Sequence, residues 1–124
     1  YQQSKTGALF AACTMAGAAA SGYEFAAWRP LGLAIGEAFQ VADDIRDVGS
    51  SEAEMGKPQG QDAVHGRPNA VALLGLDGAK QRFEGLLADA LDAIPDCPGK
   101  DQLGAQIVAV SHRLVTGEGA RRAA

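Results

Sequence analysis

The spacing of apolar positions along the chain has the period of helices. A first helix is predicted from about Gln3 to Ala20, where Gly7, Ala8, Ala11, Ala12, Ala16 and Ala19 are small enough to let a neighbouring helix come close. Ser21-Gly22 ends it and offers a cap for the next segment. A second helix holds Phe25, Trp28 and an acidic stretch; Pro30 either starts its main part or kinks it, and Gly49-Ser50-Ser51 closes it. From Ser51 to Asn69 the breakers Gly56, Pro58, Gly60, Gly66 and Pro68 are too many for a helix, so this is the long polar loop of the chain. A short helix from Ala70 to Leu76 is expected next. Asp77 then caps a helix to about Ile94, with Phe83, Leu86, Leu87, Ala90, Leu91 and Ile94 as its buried stripe. Pro95-Asp96-Cys97-Pro98-Gly99 breaks the chain again, and a last amphipathic helix runs from about Asp101 to Val115. The expected fold class is all-α, in one domain over residues 1–116 with a disordered tail at 117–124.

The second helix has two unlike faces. Leu31, Ala34, Ile35, Ala38, Val41, Ala42 and Ile45 form an apolar one. Gln40, Asp43, Asp44 and Asp47 fall at i, i+3, i+4 and i+7 and share the other. Upstream that polar face carries Leu33 and Gly36, a gradient that suits a ligand with an apolar tail and an anionic head. Asp43 and Asp47 repel one another, and all three carboxylates crowd the end of a helix, where the dipole disfavours negative charge. Together these effects cost roughly 1–2 kcal/mol. A bound Mg²⁺, which prefers oxygen ligands and keeps several waters, reverses the sign of that cost. The plainer alternative is a solvated acidic helix end softened by Arg46.

Composition narrows the picture. Apolar residues make up 47% and aromatics only 6%, so close-packed helices fit better than a β-sandwich. A net charge of −4 argues against nucleic acid and against a basic membrane-binding surface. Thr6 to Tyr23 carries no charge, but its Ala, Gly, Ser and Thr are too weakly apolar for a membrane span, and it has no basic leader or cleavage pattern. Cys13 and Cys97 lack metal-type spacing and read as free thiols of a reducing compartment, hence a cytoplasmic location. The chain starts at Tyr1 and runs straight into a helical pattern, like a domain entered midway.

Three further features suit an anionic ligand. Lys5-Thr6 pairs a cation with a hydroxyl, Lys57 sits in the glycine-bearing loop Gly56-Lys57-Pro58-Gln59-Gly60, and Arg67 offers a planar fork. Each alone is a solvated surface charge by default, and His65 is either a ligand or base or an ordinary loop residue. Carboxylates holding Mg²⁺, with Lys and Arg around phosphate, are a standard electrostatic arrangement for diphosphate chemistry.

Lys5-Thr6-Gly7-Ala8-Leu9, Gly36-x-Ala38-Phe39-Gln40-x-x-Asp43-Asp44-Ile45-x-Asp47 and Gly56-Lys57-x-x-Gly60-x-Asp62, in that order, resemble the C-terminal half of a trans-prenyl diphosphate synthase. With Gly66-Arg67-Pro68-Asn69-Ala70 and Pro95-Asp96-Cys97-Pro98-Gly99, the chain is most similar to the carotenoid-type geranylgeranyl diphosphate synthases, up to about Val115. The resemblance implies a helical bundle of the isoprenoid-synthase type, a homodimer in the full-length protein, and head-to-tail condensation of an allylic prenyl diphosphate with isopentenyl diphosphate. It implies that Asp43, Asp44 and Asp47 hold Mg²⁺, Asp43 most directly, and that Lys5 and Lys57 hold the allylic diphosphate. Thr6 and Gln40 would line the reaction centre, with Phe39 packing beside them and Arg67 a diphosphate contact.

Two departures stand out against the family pattern. Arg67-Pro68 replaces the usual Lys followed by Ser or Thr, and the first aspartate-rich motif is missing. The expectation is therefore that this chain alone makes no product. A non-catalytic truncated paralogue that binds diphosphate or regulates a synthase is the alternative.

Overall fold

A computed structural model describes residues 2–53 and 69–117, with side chains over 5–48 and 69–117. Helix α1 spans Gln2–Ala20, a 3-10 turn spans Phe25–Trp28, and α2 spans Arg29–Ala53. Helix α3 spans Ala70–Ala93 and α4 spans Lys100–Thr116. Among the described residues the fold is all-α, as the apolar periodicity requires.

Most element ends have a local cause. Glu24 caps the 3-10 turn by accepting from the Ala26 N–H at 3.1 Å, and Pro30 sits in the first turn of α2, where a missing N–H is harmless. Gly117, at φ 76°, closes α4 with its N–H on the Arg113 carbonyl at 2.8 Å. The expected stop at Gly49-Ser50-Ser51 is passed, because glycine and serine each lower helix propensity by about 1 kcal/mol or less without removing a hydrogen bond. The break after Ala70 falls at Gly75 (φ 77°, ψ 167°), not at Asp77. Only glycine adopts that backbone without strain.

Helix α2 is the centre of the molecule. One side packs on α3 and α4. Ala38, Val41, Ala42 and Ile45 meet Ala79, Phe83, Leu86 and Leu87, while Leu31 meets Ala90 and Ile94. The other side lies under α1, which runs antiparallel to it. A Cβ on Gly32 would stand 2.5 Å from the Ala11 Cα, and one on Gly36 would stand 3.3 Å from the Gly7 Cα. The two backbones therefore touch across glycine. Thr14 Oγ1 pins the far end, donating to the Trp28 carbonyl at 2.7 Å. The small-residue stripe of α1 is only partly used, since Gly7 and Ala11 are buried whereas Ala8, Ala12, Ala16 and Ala19 face outward. Leu9 and Phe25 are exposed, and Phe10 and Trp28 are half-buried. Cys13 and Cys97 are free thiols. No helix among the described residues is long and apolar enough to cross a membrane.

Candidate functional site

The ridge of α2 that faces α1 changes character at Gln40. Upstream, Gly32 and Gly36 are buried beneath α1 and Leu33 is half-buried, so this part is a packed seam and not the open apolar face that the pattern suggested. At Gln40 the seam ends in a polar contact, with Gln40 Nε2 donating to Thr6 Oγ1 at 2.7 Å. Two residues 34 apart in sequence thereby meet where the early turns of α1 cross α2. Lys5 precedes Thr6 on the same turn and is exposed. Further along α2 the carboxylates begin.

The three aspartates do not behave alike. Asp43 is half-buried and paired with Arg46 Nη2 at 2.7 Å, an i,i+3 contact on the same helix. Asp47 is also half-buried. Asp44 is 3% exposed, and its Oδ2 accepts the Ala70 N–H of α3 at 2.9 Å. Among the described residues no three His, Cys, Asp or Glu side chains converge as a cation site. Glu37, on the outer flank, pairs with Arg82 of α3 at 3.2 Å, both well exposed.

Phe39 is half-buried and packs towards α1. Its ring lies 5.4 Å from that of Phe10, and both line an open apolar pocket of about 330 Å³ together with Ile35, Phe83, Val110 and Leu114.

The polyprenyl synthetase family model matches residues 1–108, which span α1, α2, α3 and the first half of α4. This chain belongs to the polyprenyl synthetase family. It is 47% identical to the geranylgeranyl diphosphate synthase of Rhodobacter capsulatus over 93% of this chain and 40% of the relative. The geranylgeranyl diphosphate synthase of Cereibacter sphaeroides is also 47% identical, over 98% of this chain and 42% of the relative. The farnesyl diphosphate synthase of Escherichia coli is 39% identical over 73% of this chain and 31% of its own length. The chain therefore spans about two fifths of the first two relatives. No solved structure matches it.

Of the expected site residues in this family member, the structure joins Thr6 to Gln40 and sets Asp43 and Asp47 just beyond them on the same helix. It turns Asp44 inward and packs Phe39 against Phe10. Lys57 and Arg67, with Asp62 and His65, lie outside the described residues. Sequence reasoning missed the cap on α3, although the signal was present: Asn69 directly precedes the apolar run at Ala70.

Proposed function

We propose that this chain is the C-terminal half of a magnesium-dependent prenyl diphosphate synthase that condenses an allylic diphosphate with isopentenyl diphosphate, with geranylgeranyl diphosphate as its product. The observation that carries this reading is the Thr6–Gln40 hydrogen bond, set where an apolar helix seam gives way to carboxylates. Family membership and the names of the relatives support prenyl transfer as the chemistry.

The residues divide the work by position. Lys5, at the end of the seam, binds the allylic diphosphate, and Lys57 and Arg67 add positive charge to the same group. Gln40 gives an N–H to Thr6, which fixes which end of its amide faces α1. Both side chains carry lone-pair oxygens, suited to stabilising positive charge on an allylic carbon after its C–O bond breaks and the electron pair leaves with diphosphate. The isopentenyl double bond then forms the new C–C bond, and loss of a proton restores the alkene.

Asp43 and Asp47 fit Mg²⁺ by donor chemistry. They are oxygen donors one helical turn apart, and this ion takes one or two carboxylates, retains waters and completes its shell with phosphate. When bound, the ion neutralises charge gathering on the departing diphosphate. A partly exposed pair such as Asp43–Arg46 is worth at most about 1 kcal/mol and is no obstacle to exchange for a divalent ion.

Asp43 and Asp47 lie on one helix and would hold a cation from that side, and the reading expects the remainder of a synthase to supply the other. The experiment is an assay with isopentenyl diphosphate, allylic diphosphates and Mg²⁺, using this chain alone and then with the rest of a family synthase added. No product from the chain alone and product from the combination is the expected result. Product from the chain by itself would show the site to be complete as it stands. Diphosphate binding without product in either assay would favour the non-catalytic partner.

A further inference from the structure

Asp44 stands apart from its two neighbours. On a helix Asp43 and Asp47 lie about 40° apart around the axis, whereas Asp44 lies about 100° from Asp43, towards Val41 and Ile45. Those two residues belong to the core beneath α3, and Asp44 follows them inward to 3% exposure.

Its partner there is specific. The first N–H groups of α3 have no partner within the helix. Asn69 Oδ1 serves two of them, accepting from Val71 at 2.8 Å and from Ala72 at 3.1 Å, while its carbonyl takes Leu73 N–H at 3.0 Å as the first bond of the helix ladder. Ala70 N–H is left over, and Asp44 Oδ2 takes it. The first turn cannot borrow rigidity from the rest of α3, because Gly75 leaves the helical conformation between them. Ala70 and Val71 are nonetheless packed against the core.

We propose that Asp44 is a positioning residue that fixes the start of α3 against the acidic end of α2, and that cation binding on this ridge falls to Asp43 and Asp47. The second half of the statement rests on the function proposed above; the first half does not. The bond spans 26 residues and ties the re-entry of the chain at Ala70 to the helix that carries the site. A carboxylate that is 3% exposed and accepts a backbone N–H of the neighbouring helix is placed for geometry.

Two substitutions separate geometry from charge. Asp44→Asn keeps the length and one acceptor oxygen but loses the charge. Asp44→Glu keeps the charge but moves it one methylene further into a space that is closed. For a positioning residue Asn should be the better replacement; for a cation ligand Glu should be.

The test uses the full-length protein containing this chain. Amide exchange at Ala70–Leu73 without metal reads the cap, and titration of Mg²⁺ with inorganic diphosphate as probe reads the site. Asp44→Ala and Asp44→Glu should speed exchange at Ala70 about tenfold or more, while Asp44→Asn stays within a few-fold of wild type. Mg²⁺ affinity should hold in Asp44→Asn and fall about tenfold or more in Asp43→Asn. Unchanged exchange in Asp44→Ala, or faster exchange in Asn than in Glu, overturns the positioning role. Mg²⁺ affinity lost in Asp44→Asn with its amides still protected overturns the assignment of the cation to Asp43 and Asp47. If wild type itself binds no Mg²⁺, the proposed function fails, while the exchange result still decides the role of Asp44.

Discussion

Two stretches of one helix ridge, Gly32–Gly36 and Gln40–Asp47, lie in line along α2 and are built on opposite terms. In the first, side chains are removed so that two backbones can touch; a single added Cβ on Gly32 meets Ala11 Cα, Ala11 N and Thr14 Oγ1 at 2.5–2.7 Å. In the second, carboxylates accumulate despite their mutual repulsion, and the run of α2 on to Ala53 leaves them short of its last turn. Packing explains every residue of the first stretch. Of the three carboxylates in the second it explains only Asp44, and the function proposed above assigns Asp43 and Asp47 to a cation. The boundary between the two is the Thr6–Gln40 bond.

The comparison breaks most visibly at Asp43. In an active full-length synthase containing this chain, Asp43→Ala should lower turnover on the order of 10²-fold or more, as expected when a preorganised electrostatic contact to departing charge is lost. Stability should change by no more than about 0.5 kcal/mol, because a partly exposed ion pair is lost and a repulsion is relieved at the same time. Steady-state kinetics beside a denaturant melt checks both numbers. Turnover near wild type would remove Asp43 from the metal assignment.

The glycine seam should show the reverse pairing of effects. Gly32→Ala forces backbone atoms apart and should cost about 1–3 kcal/mol by overpacking, with loss of turnover only as far as α1 shifts. Gly36→Ala meets the Gly7 Cα at 3.3 Å and Phe10 side-chain atoms at 3.5 Å, so its penalty should be clearly smaller. It could even be offset by the helix propensity of alanine, worth about 1 kcal/mol. Thermal unfolding of the two variants side by side decides this. Equal melting shifts would mean that the seam is looser than the 2.5 Å approach implies.

The same contrast explains what could be read from residues alone. The helices, the apolar face of α2 and the pairing of Thr6 with Gln40 follow from period and motif, because each depends on a repeated or strongly typed signal. The direction of Asp44 does not. Spacing places it on the edge of a polar arc, and whether that edge meets solvent or a neighbour depends on where α3 lands. The covering of Leu33 and Gly36 by α1 was hidden for a related reason: nothing in the second helix states which side its partner takes. Gly75 was readable in kind but not in place, since Leu76-Asp77 offered an equally good local stop.

The smallest expected effect lies at the boundary itself. Thr6→Val keeps the β-branched shape, so helix propensity and volume barely change while the hydroxyl that accepts from Gln40 Nε2 is removed. A half-buried hydrogen bond of this kind contributes about 0.5–1.5 kcal/mol, and the loss in stability should fall in that range. Thr6→Ser keeps the hydroxyl and loses one methyl, so it should retain the bond and most of the turnover. Denaturant melts and steady-state kinetics on the three proteins separate the cases. If Val and Ser lose stability equally, the methyl contact matters and the hydrogen bond does not. If Val is as stable as wild type but slower, the hydroxyl acts on the reacting substrate and not as a tie between α1 and α2. A deficit in both for Val alone is the outcome expected of a bond that closes the packed seam and opens the site.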